Sequence, residues 1–245
     1  MLLTSFFSFT SQLLTTNYYL LTTRKNMLTI TIDEKVKSAC PALTLGLIYC
    51  EVTNSEHNTG LWTEIAAVDR EFKTTYTIEQ INKIPAIKAT RDAYKALGKD
   101  PNRYRPSAEA LCRRILRDLP LYQINTLVDL INLVSIRTGY SIGGFDADKI
   151  QGDLLLTAGT AYDEFEGIGR GVLNIEGLPV YKDAVGGIGT PTSDHERTKL
   201  SLESNHLLMI INGYSGGDGI REAVDWSVEL LQKYASAKAI KTKIM

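Results

Sequence analysis

The stretch with the most chemical potential is NTLVDLINLVSIRTGYSIGGFDADKI, residues 125–150. Asn132 follows Val128 by one helical turn, so it falls on the apolar face that Ile124, Leu127, Val128, Ile131 and Val134 mark out. An amide carried inward must find hydrogen-bond partners or cost on the order of 1–3 kcal/mol. Two roles satisfy that demand, a clip for neighbouring backbone or a polar group in a pocket wall. Asn125 stands where the helix begins and reads as its cap. Gly143 and Gly144 suit special backbone geometry or leave room for a ligand. Asp146 and Asp148 read as residues that fix the chain after the helix, and His195, in TSDHERT, reads as a loop residue rather than a base.

A second constellation precedes it. Residues 88–117 hold nine basic side chains against three acids, a local excess of +6 in a chain whose formal net charge is −1. The candidates for phosphate contact are Arg91, Lys95, Lys99, Arg103, Arg105, Arg113 and Arg114, with Tyr94 and Tyr104 interleaved as stacking on a nucleotide would require. A solvated helix face with local ion pairs is the competing reading.

These residues need elements to position them. LTITID and ALTLGLIYCEV have strand composition, while residues 61–84 and 87–97 have helical spacing, the latter ending at Gly98 as a C-terminal cap. Pro106-Ser107 opens another helix, with Ser107 as its expected N-cap, leading into the helix that carries Asn132. Leu130 and Leu133 make that helix apolar nearly all round, so it is expected to be buried. Beyond residue 150 the segments DLLLTA, AYDEFEG, GVLNIEG, LPVYKDA and HLLMIING read as strands between glycine-containing turns, and GIREAVDWSVELLQKY as an amphipathic helix. The expected fold is α+β, one compact domain over residues 27–245 with mixed or antiparallel sheets around a buried central helix.

Composition sets the outer limits. With 245 residues, 44% hydrophobic and 22% charged, the chain can bury a large core. Cys40, Cys50 and Cys112 lie far apart, as do His57, His195 and His206, so neither a disulfide framework nor a metal site is expected, and the cysteines fit a cytoplasmic location. No Gly-rich phosphate loop supports a nucleotide cofactor, since GGIG lacks both the strand–helix context and the lysine. No cofactor is expected. Residues 1–26 are rich in Leu, Thr and aromatics, carry no charge before Arg24 and lack a signal-peptide pattern; translation starting at Met27, or a tail, is the expectation there. No stretch is apolar enough to span a bilayer, so no membrane partner is expected.

Taken together, RPSAEALCRRIL, the 125–150 stretch and TSDHERTKLSLES resemble the tRNA-binding and editing domain of phenylalanyl-tRNA synthetase β subunits. GKDPNRYRPSAEAL is similar to free-standing relatives of it, the B-three/B-four domain proteins. The resemblance is strongest over residues 88–212, where Val128-Asp129-x-x-Asn132 and Phe145-Asp146-x-Asp148-Lys149 are its most specific parts. It implies a pocket for the aminoacyl end of a tRNA or a related aminoacyl ester, lined by Asn125, Asn132, Gly143, Gly144 and Glu203, with Glu203 at the position that selects the amino acid's polar tip. It also implies ester hydrolysis in trans, by a positioned water and oriented dipoles rather than a nucleophilic side chain. Gly143 stands where many of those synthetase domains carry histidine, so the residues leave no assigned catalytic group. Three readings therefore stay open: an aminoacyl-tRNA deacylase, a binding module without turnover, and a structural protein whose asparagines only hold the fold.

Overall fold

In the computed structural model, which describes residues 28–245, the chain opens with a strand, β1 (Ile30–Ile32), and a short helix, α1 (Glu34–Ala39). The expectation about residues 1–26 lies outside the described residues. The long strand β2 (Thr44–Glu51) leads to α2 (Thr59–Thr75), whose first turn is capped by Asn58. That helix ends nine residues earlier than its apolar spacing suggests. The sequence there is Thr74-Thr75-Tyr76-Thr77, β-branched or aromatic residues that lose side-chain freedom in a helix. A single 3₁₀ turn follows, then α3 (Pro85–Ala96), with Gly98 left-handed just beyond it, and α4 (Ser107–Ile115), which begins one residue earlier than a Ser107 cap would require.

The buried helix is α5 (Thr126–Thr138), and its start is held at several points. Asn125 Oδ1 accepts from Val128 N at 3.0 Å, Asp129 Oδ1 accepts from Ile124 N at 3.0 Å, and Trp62 Nε1 donates to Asp129 Oδ2 at 2.8 Å. Gly139 ends the helix in the left-handed conformation, as C-terminal caps require.

The Gly143–Gly144 pair is not a loop but the middle of β3 (Ser141–Asp146). Glycine is a poor strand former, and the reason for it here is contact. A Cβ on Gly144 would sit 2.3 Å from Ile131 Cδ1, and one on Gly143 would sit 2.6 Å from the Phe145 ring. Next come β4 (Leu154–Ala158), the small hairpin β5 (Glu166–Gly167) and β6 (Gly171–Val172), β7 (Pro179–Lys182), β8 (Gly187–Gly189), β9 (His206–Gly213), α6 (Ile220–Ala235) and β10 (Lys238–Ile244). LSLES forms a turn just before β9.

Three layers result. The sheet β10-β2-β9-β3 is antiparallel throughout. Alternation along β2 and β9 sends Ile48, Cys50, Leu207, Met209 and Ile211 toward α2, α4, α5 and α6 on one face. Leu45, Leu47, Leu208 and Ile210 point the other way, toward the second sheet, β1-β4-β7-β8, in which only β1 and β4 run parallel. The fold is thus α+β with antiparallel and mixed sheets, and α5 is buried between the central sheet and neighbouring helices. Among the described residues no helix is long and apolar enough to cross a membrane.

Candidate functional site

One face of α5 is not fully covered. Val128, Ile131, Asn132 and Ser135, spaced to share a side of that helix, line a cavity of about 360 Å³ together with Ile124 just before it. Ile142 and Gly144 of β3 form its floor, Leu200 and Lys199 one edge, and Ile168, at the tip of the β5–β6 hairpin, overhangs it. The volume falls in the range of small-ligand sites, and the lining is mainly aliphatic.

Its polar groups differ in what they have left to offer. Ser135 Oγ donates to Tyr140 O at 2.5 Å, Thr190 Oγ1 accepts from Thr192 N and Ser193 N, and Ser193 Oγ donates to the Asp194 carbonyl at 3.3 Å. Asn132 is half-buried, and its side-chain amide has no hydrogen-bond partner among the described residues. Asp194 accepts a single bond, from Gly144 N to Oδ2 at 3.2 Å.

Asp194 is held rigidly by its backbone. Its carbonyl accepts from Ile168 N at 3.1 Å, it bridges Gly189 of β8, and the Thr190–Ser193 turn closes immediately before it. No cation among the described residues pairs with its carboxylate. Lys199 is engaged by Glu196, and Arg197 by Asp183 at 2.9 Å. The residue is open to the cavity on one side, yet protein surrounds the carboxylate closely enough that burial pushes its pKa up to about 7, against the smaller opposing pull of the Gly144 amide.

Beside this cavity lies a second pocket of similar volume, sharing Ser107, Ile124, Val128 and Asn132 with it and lined by Arg105, Arg113, Arg114, Arg117 and Arg170. A third, smaller recess continues past Arg105 and Arg170 to Arg103 and Tyr104. Tyr122, 57% exposed, offers a ring in the arginine pocket, with the Arg114 guanidinium 3.9 Å from its centroid.

The expected site residues separate into those the fold brings together and those it does not. Asn132 and Gly144 line the cavity, although Ile131 packs where a Gly144 side chain would be, so the glycine serves packing as well as space. Asn125 is buried as a cap and does not reach the cavity lining. Gly143 faces the opposite side of its strand, because successive residues of a strand alternate, and the Phe145 ring fills its space. Glu203 is exposed in a turn, and a hydrogen bond from Ser201 holds its carboxyl below the usual range. It therefore does not supply the cavity's carboxylate. Asp194 does, a residue unremarked beside His195. His195 itself caps the next turn, accepting from Arg197 N at 3.0 Å.

The basic segment also divides. Arg91 is buried on Glu109 at 2.8 Å, Pro101 O and Asn102, and Lys99 is buried on Asn174 O at 2.9 Å under the Tyr104 ring. Both are removed from any phosphate contact by these bonds. Arg113 is held by Glu109 and Ile78 O but still lines the pocket, and Lys95 pairs with Asp92 on the outer surface. Tyr94 is fully buried with its hydroxyl on Thr192, so it cannot stack on a base. Arg170 joins the cluster from the β5–β6 hairpin, outside the segment that charge counting singles out. Asp146 accepts from Asp148 N and Ser204 Oγ, tying the exit of β3 to the turn before β9. Among the described residues no group of three His, Cys, Asp or Glu side chains could hold a metal ion.

Comparison with known sequences agrees with the motif residues. The family model described as B3/4 domain matches residues 89–225, more than half of the chain. The chain belongs to the B3/4 domain family. Both the Asn132 cavity and the arginine pocket lie mostly within the matched part of this B3/4 domain. Among solved structures, an N-terminal fragment of the phenylalanyl-tRNA synthetase beta-subunit from Pyrococcus horikoshii is similar to it at 15% identity with a TM-score of 0.46. That match covers 88% of this chain and 50% of the fragment, so the chain spans half the length of that relative. No curated protein matches it.

Proposed function

We propose that this B3/4 domain binds the aminoacylated acceptor end of a tRNA, or a related aminoacyl ester, in a reducing cytoplasm. The carrying observation is that two unlike pockets share the wall of Ser107, Ile124, Val128 and Asn132: an aliphatic cavity with one unpaired carboxylate, and a recess lined by five arginines. An aminoacyl-tRNA end has that same two-part chemistry, an amino-acid head followed by phosphates. The motif resemblance to synthetase editing domains supports the same ligand class. Three cysteines, all buried and unpaired, fit the proposed compartment.

Binding is the primary reading. The place where the resembling synthetase domains carry histidine is Gly143, and the Phe145 ring occupies its space, so no general base is offered from that position. Incubating the protein with Phe-tRNA and Tyr-tRNA, and measuring ester loss together with filter retention, tests it. Retention of charged over uncharged tRNA without ester loss is the expected result. Ester loss in excess of the spontaneous rate would add hydrolysis in trans. If neither charged species is retained or hydrolysed, the proposal fails and a structural role stands.

A further inference from the structure

The carboxylate at the cavity wall is at odds with its surroundings. Ile124, Val128, Ile131, Ile142, Ile168 and Leu200 make the space apolar, and a lone carboxylate there is costly unless a proton or a cation accompanies it. Among the described residues no lysine or arginine pairs with it. The basic side chains nearest in sequence are already committed, Arg197 to Asp183 and Lys199 to Glu196, while His195 spends Nδ1 on its cap. Gly144 N satisfies Oδ2 and leaves Oδ1 without a hydrogen-bond partner among the described residues. Asn132 lines the same space with an uncommitted amide oxygen.

We infer that the cavity selects ligands with a free, protonated amine on an apolar group, the ammonium being held by Asp194 with Asn132 as a second acceptor. This rests on the proposed aminoacyl ligand and refines it. An α-ammonium carries three donors and a full charge, so it completes Oδ1 and removes the unpaired charge in one step. Acylation of that nitrogen removes the charge and adds bulk beneath the Ile168 overhang. The domain would thereby distinguish an aminoacyl-tRNA from a peptidyl- or formyl-blocked one. Asp194 is a specificity-determining residue in this account, and no bond is made or broken.

The test uses the full chain and three tRNA probes, each read by fluorescence anisotropy: uncharged tRNA, tRNA carrying phenylalanine through a non-hydrolysable 3′-amide, and the N-acetylated form of the same amide. Charge-assisted recognition predicts that the free-amine probe binds about tenfold more tightly than the acetylated one, which falls toward uncharged tRNA. Asp194→Asn should reduce that preference to about twofold or less, with an unaltered far-UV circular dichroism spectrum reporting that the variant is folded. Equal affinity of wild-type protein for the free and acetylated forms, both above uncharged tRNA, overturns the amine assignment and leaves the function proposal standing. A preference that survives Asp194→Asn overturns the role of Asp194. If neither charged form binds more tightly than uncharged tRNA, the function proposal is removed, and this inference with it. The wild-type comparison does not depend on the variant's folding.

Discussion

Asp194 and Glu203 are both acidic residues in the segment that carries the family resemblance, and their surroundings give them opposite chemistry. Glu203 stands in water with a hydroxyl beside it, and its pKa is lowered. Asp194 is at the wall of a mainly aliphatic cavity, and burial raises its pKa to about 7. In the unfolded chain an aspartate titrates near 3.9, so between about pH 4 and 7 the native state retains a proton that the unfolded state has lost. Ligand-free stability should therefore fall as pH rises across that window and level off above it. Asp194→Asn removes the titration. Solvent reaching the carboxylate through the cavity mouth reduces the penalty, so we expect the variant to gain about 1 kcal/mol, roughly 3 °C in Tm, on going from pH 5 to pH 8 relative to wild type. Parallel melting curves at the two pH values check this; a constant difference between the proteins would show that the carboxylate is solvated like any surface acid.

At the scale of elements, α5 shows how one helix divides two asparagines between structure and site. Asn125 satisfies an otherwise unpaired amide at the helix start, and the Asn132 side chain, two turns on, bonds to nothing among the described residues. Asn125→Ala should cost about 1 kcal/mol in urea unfolding, whereas Asn132→Ala should leave the urea midpoint nearly unchanged and weaken charged-tRNA binding instead. Equal losses in stability would mean that both are clips. The helix periodicity and its capping were legible in the sequence because each is written within a few residues. The strand β3 was not, because two glycines argue against a strand locally, and only the Ile131 side chain pressed against Gly144 explains why nothing larger is there. Likewise β10 pairs with β2, nearly 190 residues away, and lysines at 238, 241 and 243 leave it no continuous apolar signature.

Across the whole molecule, what matters is which arginines remain uncommitted after folding. Glu109 is buried and draws Arg91, Arg105 and Arg113 to itself, so part of the +6 segment is spent on holding α3 and α4 together. Arg117 and Arg170 make no ion pair among the described residues, and both line the arginine pocket. Reversing these two to Glu should weaken tRNA binding and flatten its dependence on log salt by roughly two units of slope, one for each phosphate that is no longer neutralised. An unaltered slope would remove the phosphate assignment from this pocket. Reversing Arg113 would be a poor test, since Glu109 would be left facing a like charge in a buried position.

The amino-acid sequence by itself determined the α+β class, the buried helix with Asn132 on its inward side, the wide spacing of the cysteines, and the B3/4 family. These depend on spacing, caps and motifs, which act over a few residues. Only the tertiary structure decided that the cavity's carboxylate is Asp194 rather than Glu203, that Gly143 faces away, and that Arg170 replaces Arg91 and Lys99 in the basic recess. Burial and charge pairing are set by neighbours such as Gly144 and Asp194, fifty residues apart along the chain and 3.2 Å apart in space, and no local pattern encodes that meeting.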